Sequence, residues 1–244
     1  MHYEEYVKAQ GELLTRPIAG HDFYEELRRV AKSRFGVLGE IEQVRFKQPT
    51  LLNTRLSRTL DIVFSILGIL ACFVPMSLIG VAIVIDSPGS IFYRQRRVGK
   101  GGKIFWMLKF RTMRAGAEER TGPVWASEKD PRVTRVGRFL RDLRLDEVPQ
   151  LFNILKGDMT FVGPRPERPE FVYWFTRYMP AFDRRHVVKP GIAGLAQLMN
   201  GYDSCAKSIY RKLRWDVYYI KRKCVQTDLH ILWWTVIAVL QRKI

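Results

Sequence analysis

Between Ile62 and Ile85 the chain reads IVFSILGILACFVPMSLIGVAIVI, 24 residues without a single charge. At 1.5 Å rise per residue such a helix is about 36 Å long, enough to cross a hydrocarbon core of roughly 30 Å. Two features oppose a simple crossing. Pro75 sits at the middle of the run, where a proline lacks the backbone donor and clashes with the carbonyl four residues back. Arg55 and Arg58 precede the run, and Arg94, Arg96 and Arg97 follow it. Short basic flanks stay on the cytoplasmic side, so a span would strand one cluster on the wrong face. A helix that enters, breaks at Pro75 and returns keeps both clusters on one side. The alternatives are a Pro-kinked single span and a buried helix of a soluble core.

The rest of the composition agrees with a membrane surface. The 244 residues carry 41 Lys and Arg against 24 Asp and Glu, a formal charge of +17. Such an excess favours nucleic acid, anionic lipid or phosphorylated ligands, and beside an apolar run anionic headgroups are the economical choice. Three widely spaced cysteines (Cys72, Cys205, Cys224) read as free thiols. Four scattered histidines offer no zinc spacing. The first fifty residues are charged and mixed, so no signal peptide is expected there.

Four segments follow from patterning: a helical extension over 1–53, a membrane helix hairpin over 54–90, a cytosolic domain over 91–228, and an interfacial helix over 229–244. Residues 1–20 show no regular pattern, and 22–44 suits one or two short amphipathic helices broken near Gly36 and Gly39. After the Ser87-Pro88-Gly89 turn, Ile91–Arg94 and Ile104–Phe110 read as two strands joined by a basic, Gly-rich turn. In an extended segment Lys109 and Arg111 share a face, which could hold a phosphate. Residues 114–131 read as a mobile loop, followed by a helix with Val136, Phe139, Leu140 and Leu143 at core-facing spacing and Arg138 and Arg141 on neighbouring turns.

The segment LDEVPQLFNILKGDM is the most informative. Asp is a favoured N-cap, proline is tolerated only in a first turn, and Lys156-Gly157 is a helix stop. Asp146 is therefore expected at the positive end of a helix, which favours its ionised form and attracts a phosphoryl group. Asp146 and Glu147 are adjacent, so on a helix they diverge by about 100° and make a poor acid/base pair. A division of labour fits better: one carboxylate attacks and the other holds a magnesium ion. By itself, such a pair is more often a solvated helix start. Beyond the strand expected at Met159–Val162, Pro164-Arg165-Pro166 presents a guanidinium on a stiff backbone, suited to a phosphate or a carboxylate. Gln197 lies in a Gly-rich stretch of the kind that lines a site. Asp216 stands among many cations, as a second catalytic acid or as their charge partner. The closing run Leu229–Leu240 is too short to span, and Trp233 and Trp234 suit a helix lying in the headgroup region.

Taken together, the apolar run with its proline, SPGSIFYRQRRVG, LKFRTM, LDEVPQLFNILKGDMTFVGPRPE, KPGIAGLAQ and WDVYYI resemble the bacterial sugar transferases, over roughly four-fifths of the chain. These are the monotopic phosphoglycosyl transferases that start exopolysaccharide, capsule, O-antigen and glycan assembly. The resemblance implies an α+β, predominantly helical, monotopic protein on the cytoplasmic face of the bacterial inner membrane. Its re-entrant helix would break at Pro75, and its catalytic domain would contain a small β-hairpin. It implies transfer of a sugar-1-phosphate from a UDP-sugar to polyprenyl (undecaprenyl) phosphate, with release of UMP and a covalent phosphosugar-aspartyl intermediate. Asp146 would be the nucleophile and Glu147 the Mg²⁺ ligand. Lys109, Arg141 and Arg165 would contact phosphate or nucleotide, with Arg111 and Gln197 lining the same site and Asp216 a further active-site carboxylate. Three departures stand out. Val74-Pro75 replaces a frequent Ser-Pro, Gly194-Leu195-Ala196-Gln197 a frequent Gly-Trp-Ala-Gln, and Asn200-Gly201-Tyr202 a frequent Asn-Gly-Arg. The expected partners are UDP-sugar, polyprenyl phosphate and membrane lipid. Nucleic acid is not expected, since no recognition motif is present. A homo-oligomer is compatible with the sequence, and no residue decides it. The rival reading is a non-catalytic membrane-surface scaffold that binds anionic lipid or assembly partners.

Overall fold

A computed structural model describes residues 1–10, 21–46, 50–117, 130–200 and 205–241. The apolar run lies inside α4, a 36-residue helix over Leu51–Asp86. It follows three shorter helices, α1 (Tyr3–Gln10), α2 (His21–Ser33) and α3 (Phe35–Glu42). Thr50 caps α4, its hydroxyl accepting the Asn53 N–H at 3.3 Å. Pro75 lies within the helix. Two residues on, the Ser77 hydroxyl donates to the Phe73 carbonyl at 2.9 Å, a back-bond of the kind that bends helices.

Both ends of α4 are fastened to the same body. Near its start, Arg58 donates through both terminal nitrogens to the Ile154 and Leu155 carbonyls at 2.7 Å each. Asp61 accepts from Thr160 Oγ1 at 2.9 Å, and Gly68 packs on Leu151. Near its end, Ile83 is buried with Phe110 and Leu140, and the Asp86 carboxylate accepts the Val136 N–H at 2.9 Å. Between these contacts Leu67, Leu70, Phe73, Val74 and Leu78 are exposed, the apolar surface a lipid environment would cover.

The hairpin forms as expected, with a longer first strand: β1 (Phe92–Val98) pairs antiparallel with β2 (Ile104–Phe110), Phe92 opposite Phe110 and Tyr93 opposite Lys109. A second, parallel pair joins β3 (Thr160–Val162) to β4 (Gly191–Ala193). A Cβ at Gly163 or Gly191 would strike the facing backbone, so these strands meet closely only as glycines. Between the sheets lie α5 (Arg135–Asp142), capped by Thr134, and α6 (Gln150–Lys156). The latter ends at Gly157 with φ 97°, the left-handed stop its sequence announces. On α5 Leu140 is buried, whereas Phe139, expected in the core, is exposed.

The remaining helices are α7 (Pro169–Tyr178), α8 (Leu195–Asn200), α9 (Ala206–Lys221) and α10 (Val225–Leu240). The last starts four residues before the expected Leu229 because Asp228 is drawn inward, its carboxylate accepting from Tyr219 at 2.8 Å. Trp233, Trp234 and Leu240 stay exposed. The main core joins Phe171, Phe175 and Phe182 to Leu213 of α9 and to Leu27, Val30, Leu38 and Ile41 of the N-terminal helices.

One expectation fails at the start of the chain. Residues 3–10, read as patternless, form α1 because tertiary contacts supply what local pattern lacks. Tyr3 and Tyr6 are buried, and the Ile104 N–H donates to the Met1 carbonyl at 3.1 Å. Residues 11–20, residues 118–129 (most of the expected mobile loop) and Tyr202 fall outside the described residues.

Candidate active site

The chain enters the acid pair through an unusual residue. Arg144, which follows the end of α5, is left-handed at φ 58°, a conformation uncommon outside glycine. That turn swings the backbone into a 3₁₀ turn over Leu145–Glu147, ahead of α6. Asp146 is therefore not the N-cap of α6; Pro149 holds that position without a side-chain cap. The two carboxylates are buried, each about 7% exposed, which rules out a solvated helix start.

Their partners come from two segments. Lys109 of β2 places its Nζ 3.1 Å from Glu147 Oε1 and 3.9 Å from Asp146 Oδ2. Arg165 donates through Nη1 to Glu147 Oε2 at 3.1 Å and through Nη2 to Oε1, a bidentate contact of the strong kind. Burial works against ionisation at Glu147, but Arg165 and Lys109 outweigh it and hold the carboxyl well below its ordinary range. At Asp146 burial dominates over Lys109 and Glu147 adds repulsion, so its pKa is raised. Burial also lowers the Lys109 ammonium, against the pull of Glu147. The adjacent acids thus occupy opposite electrostatic states.

Arg165 is held by its backbone as well as by proline stiffness. Four successive carbonyls each accept a hydrogen bond: Pro164 from Gly191 N–H at 3.1 Å, Arg165 from Arg185 Nη2 at 2.7 Å, Pro166 from Arg97 Nη1 at 2.8 Å, and Glu167 from Val98 N–H at 2.9 Å. Behind them Glu167 accepts from Lys212 at 2.5 Å, with Arg97 at 3.7 Å and Arg185 at 3.9 Å. Burial opposes its charge, yet Lys212, Arg185 and Arg97 bring its pKa down to about 2. Asp216 belongs to this layer, accepting from Arg185 Nε at 3.0 Å. Burial nevertheless pushes its carboxyl up, and repulsion from Glu167 adds to it.

The other candidates are placed as follows. Arg141 donates through Nε to Thr112 Oγ1 at 2.9 Å. Arg111 lies past the end of β2, so strand alternation no longer pairs it with Lys109; its guanidinium donates to the Ser87 and Pro88 carbonyls and locks the turn after α4. Gln197 on α8 has its Oε1 buried with no hydrogen-bond partner among the described residues, beside Gly194 and the Gly163 carbonyl. Neither Arg111 nor Gln197 touches the acid pair in any described contact. Pro75 lies in the membrane run.

Sequence reasoning missed Asn153, Arg97, Arg185, Glu167 and Lys212. Asn153 on α6 accepts the Leu108 N–H at 2.9 Å and donates to the Trp106 carbonyl at 2.7 Å. It acts as a substitute strand edge that ties the acid-bearing segment to the strand of Lys109. A polar residue inside the apolar helix pattern of LFNIL was the available signal. The buried ions gave none.

Among the described residues no group of three His, Cys, Asp or Glu could hold a metal. Magnesium needs less than that, binding through one or two carboxylates plus substrate phosphates and water. Glu147 uses three of about four acceptor positions on Lys109 and Arg165. The donor set therefore fits an ion shared with a phosphorylated ligand rather than one in a protein cage.

The long apolar helix is compatible with a membrane-associated protein, one that carries a buried acid pair beside Lys109 and Arg165. The chain belongs to the bacterial sugar transferase family, whose sequence model matches residues 52–242. It is similar to the Aeromonas hydrophila UDP-N-acetylgalactosamine-undecaprenyl-phosphate N-acetylgalactosaminephosphotransferase, 42% identical over 79% of this chain and 45% of that protein. It is also similar to a putative undecaprenyl-phosphate N-acetylgalactosaminyl 1-phosphate transferase of Bacillus subtilis, 43% identical over 60% of this chain and 81% of that one. A third relative is the UDP-glucose:undecaprenyl-phosphate glucose-1-phosphate transferase of Xanthomonas campestris, 37% identical over 75% and 38%. The chain spans less than half of the Aeromonas and Xanthomonas proteins and most of the Bacillus one.

Proposed function

We propose that this protein is a phosphoglycosyl transferase that moves a sugar-1-phosphate from a UDP-sugar to polyprenyl phosphate at the cytoplasmic face of the inner membrane. The observation that carries the reading is the contrast within the acid pair. Glu147 is held at both oxygens by Arg165 and Lys109, so most of its electron pairs are engaged and its basicity is low. Asp146 pairs with Lys109 at the longer distance of 3.9 Å, and burial, outweighing the cations around it, raises its pKa, which makes it the stronger nucleophile when ionised.

An Asp146 oxygen attacks the phosphorus that bears the sugar. The bond from that phosphorus to the bridging oxygen breaks, and UMP leaves with the electron pair. A phosphate oxygen of the polyprenyl acceptor then attacks the same phosphorus, forming the diphosphate and returning Asp146 as a carboxylate. Lys109 and Arg165 meet the negative charge that builds on the transferring group. Glu147 would hold a magnesium ion, which supplies charge neutralisation at the donor's diphosphate when bound. Asp216 acts one layer back, through Arg185.

The re-entrant course of α4 is part of this reading. Arg58 and Asp61 before the run and Asp86 after it all bond to one body, which supports a helix that enters and leaves on the same side.

The experiment uses the full chain in detergent or nanodiscs with Mg²⁺, undecaprenyl phosphate and a panel of UDP-sugars. Release of UMP with at least one sugar is expected, and none with any sugar would overturn the proposal. A donor labelled in its sugar should leave a covalent adduct on the protein that Asp146→Asn abolishes; an adduct that survives would assign the nucleophile elsewhere. A non-catalytic scaffold would keep its cellular function in Asp146→Ala.

A further inference from the structure

We propose that Gln150 is a positioning residue of the acid pair: its carboxamide is idle in the empty site and donates to Glu147 when Lys109 turns to the transferring phosphoryl group. The inference rests on the transferase reading above and adds what holds Glu147 while its lysine is engaged elsewhere. Gln150 is fully buried, yet neither its Oε1 nor its Nε2 has a hydrogen-bond partner among the described residues. A buried amide with both polar atoms unpaired destabilises the fold that contains it. Its partner is therefore to be sought in another state of the site.

The chain places this amide at the acids. From Arg144 to Phe152 the backbone is wound by bonds between residues three apart. The N–H groups of Glu147 and Val148 donate to the Arg144 and Leu145 carbonyls at 3.2 Å, and those of Leu151 and Phe152 to Val148 and Pro149 at 3.1 Å. Side chains three apart are eclipsed in such a helix, so Glu147, Gln150 and Asn153 form one row. Both ends of the row face β2: Glu147 meets Lys109, and Asn153 bonds to Leu108 and Trp106. Gln150 thus lies between the helix and the strand that carries Lys109. Helical side chains lean towards the N-terminus of their helix, which brings the Gln150 amide back over the turn of Asp146 and Glu147.

The work required of Lys109 gives the amide its role. In the empty site the ammonium donates to Glu147 at 3.1 Å and lies 3.9 Å from Asp146. To meet charge building on the transferring group it has to release Glu147. That carboxylate is buried, and a buried ion that loses a partner is strongly destabilised. Arg165 keeps its fork on Glu147, but the position that Lys109 leaves needs a donor. Gln150 stands one turn away with its N–H groups unpaired. Being neutral, it replaces the lost hydrogen bond without adding a cation that would compete for the phosphate.

Gln150→Met keeps the length of the side chain and removes both polar atoms. If the amide is idle in the empty site, the variant is more stable than the parent, with Tm raised by about 2–4 °C. Its UMP release with donor and acceptor present should nevertheless fall about ten- to a hundredfold, the range for losing one hydrogen bond to a charged group. UMP added as product should inhibit parent and variant equally, within about twofold, because Gln150 does not touch the nucleotide. A purely structural glutamine, or one satisfied by a buried water, gives the opposite sign. A lower Tm, a failure to fold, or full activity would therefore overturn the inference. The exchange with Lys109 is tested without turnover. In Lys109→Met the ammonium is gone and Gln150 is already engaged by Glu147, so adding Gln150→Met should now lower Tm; the same rise as in the parent would overturn the exchange. Failure of the unmutated protein to release UMP with any sugar would strike the transferase reading instead, and the sign of the Tm change in the two backgrounds can be scored without it.

Discussion

Adjacent carboxylates behave differently here because their neighbours differ. Glu147 receives a fork from Arg165 and an ammonium from Lys109, whereas Asp146 pairs with the same ammonium at a longer distance. The same contrast between burial and pairing gives a pH prediction at Glu167. Its folded pKa of about 2 lies below the ordinary 4.5, so the charged form is what the fold stabilises. The contribution is complete above pH 4.5 and disappears as pH falls through about 2, a total on the order of 3 kcal/mol. Glu167→Gln is expected to be less stable than the parent at pH 6, with the difference narrowing as pH falls below 4.5. Unfolding midpoints of the two proteins across that window check it, and a constant difference would contradict it. Lys109, Arg165 and the acid pair could be named from residue type and order. Glu167 could not, because its partner Lys212 is 45 residues away and nothing in local pattern marks either as buried.

At the level of elements, the 3₁₀ turn that carries the acids is positioned by what surrounds it more than by its own helix. Arg58 of α4 closes the C-terminal end of α6 by capping two carbonyls, and Asn153 fastens the middle of α6 to β2. One helix therefore links the membrane arm to the acids and to Lys109. Asn153→Leu leaves a Leu108 N–H and a Trp106 carbonyl without their partner, and each such loss costs about 1–3 kcal/mol. The variant should lose at least about 2 kcal/mol in chemical unfolding, with a fall in UMP release as Lys109 loosens. Unchanged stability would show that the clamp is dispensable. The hairpin, the Gly157 stop and the two helices within 22–44 were legible from periodicity and turn residues, but the break between α2 and α3 falls at Arg34, and Gly36 and Gly39 lie inside α3. The N-capping expected of Asp146 was not realised, since the left-handed Arg144 inserts a 3₁₀ turn before α6. Phe139 fits helical spacing yet is exposed, because spacing marks an apolar face without saying whether protein or lipid will cover it.

For the whole molecule, the central question is the course of α4. If both its ends lie on the cytoplasmic side, as their bonds to one body support, a thiol at position 53 should be closed to reagents outside the cell. With Cys72, Cys205 and Cys224 replaced, Asn53→Cys should react with a membrane-impermeant maleimide only after lysis. Labelling of intact cells would mean a span. From the sequence alone came the membrane attachment, the hairpin, and the order in which lysine, acid pair and Pro-Arg-Pro follow one another. Each depends on information held within a few residues: an unbroken apolar run, an alternation, a dipeptide that stops a helix. Only the tertiary structure decided that residues 3–10 are helical, that Arg111 serves a turn, and that Asp216 stands behind Arg185. It also showed that Glu147 is neutralised while Asp146 is not. Those outcomes depend on which distant side chains share one desolvated space, and that is set by how the elements pack.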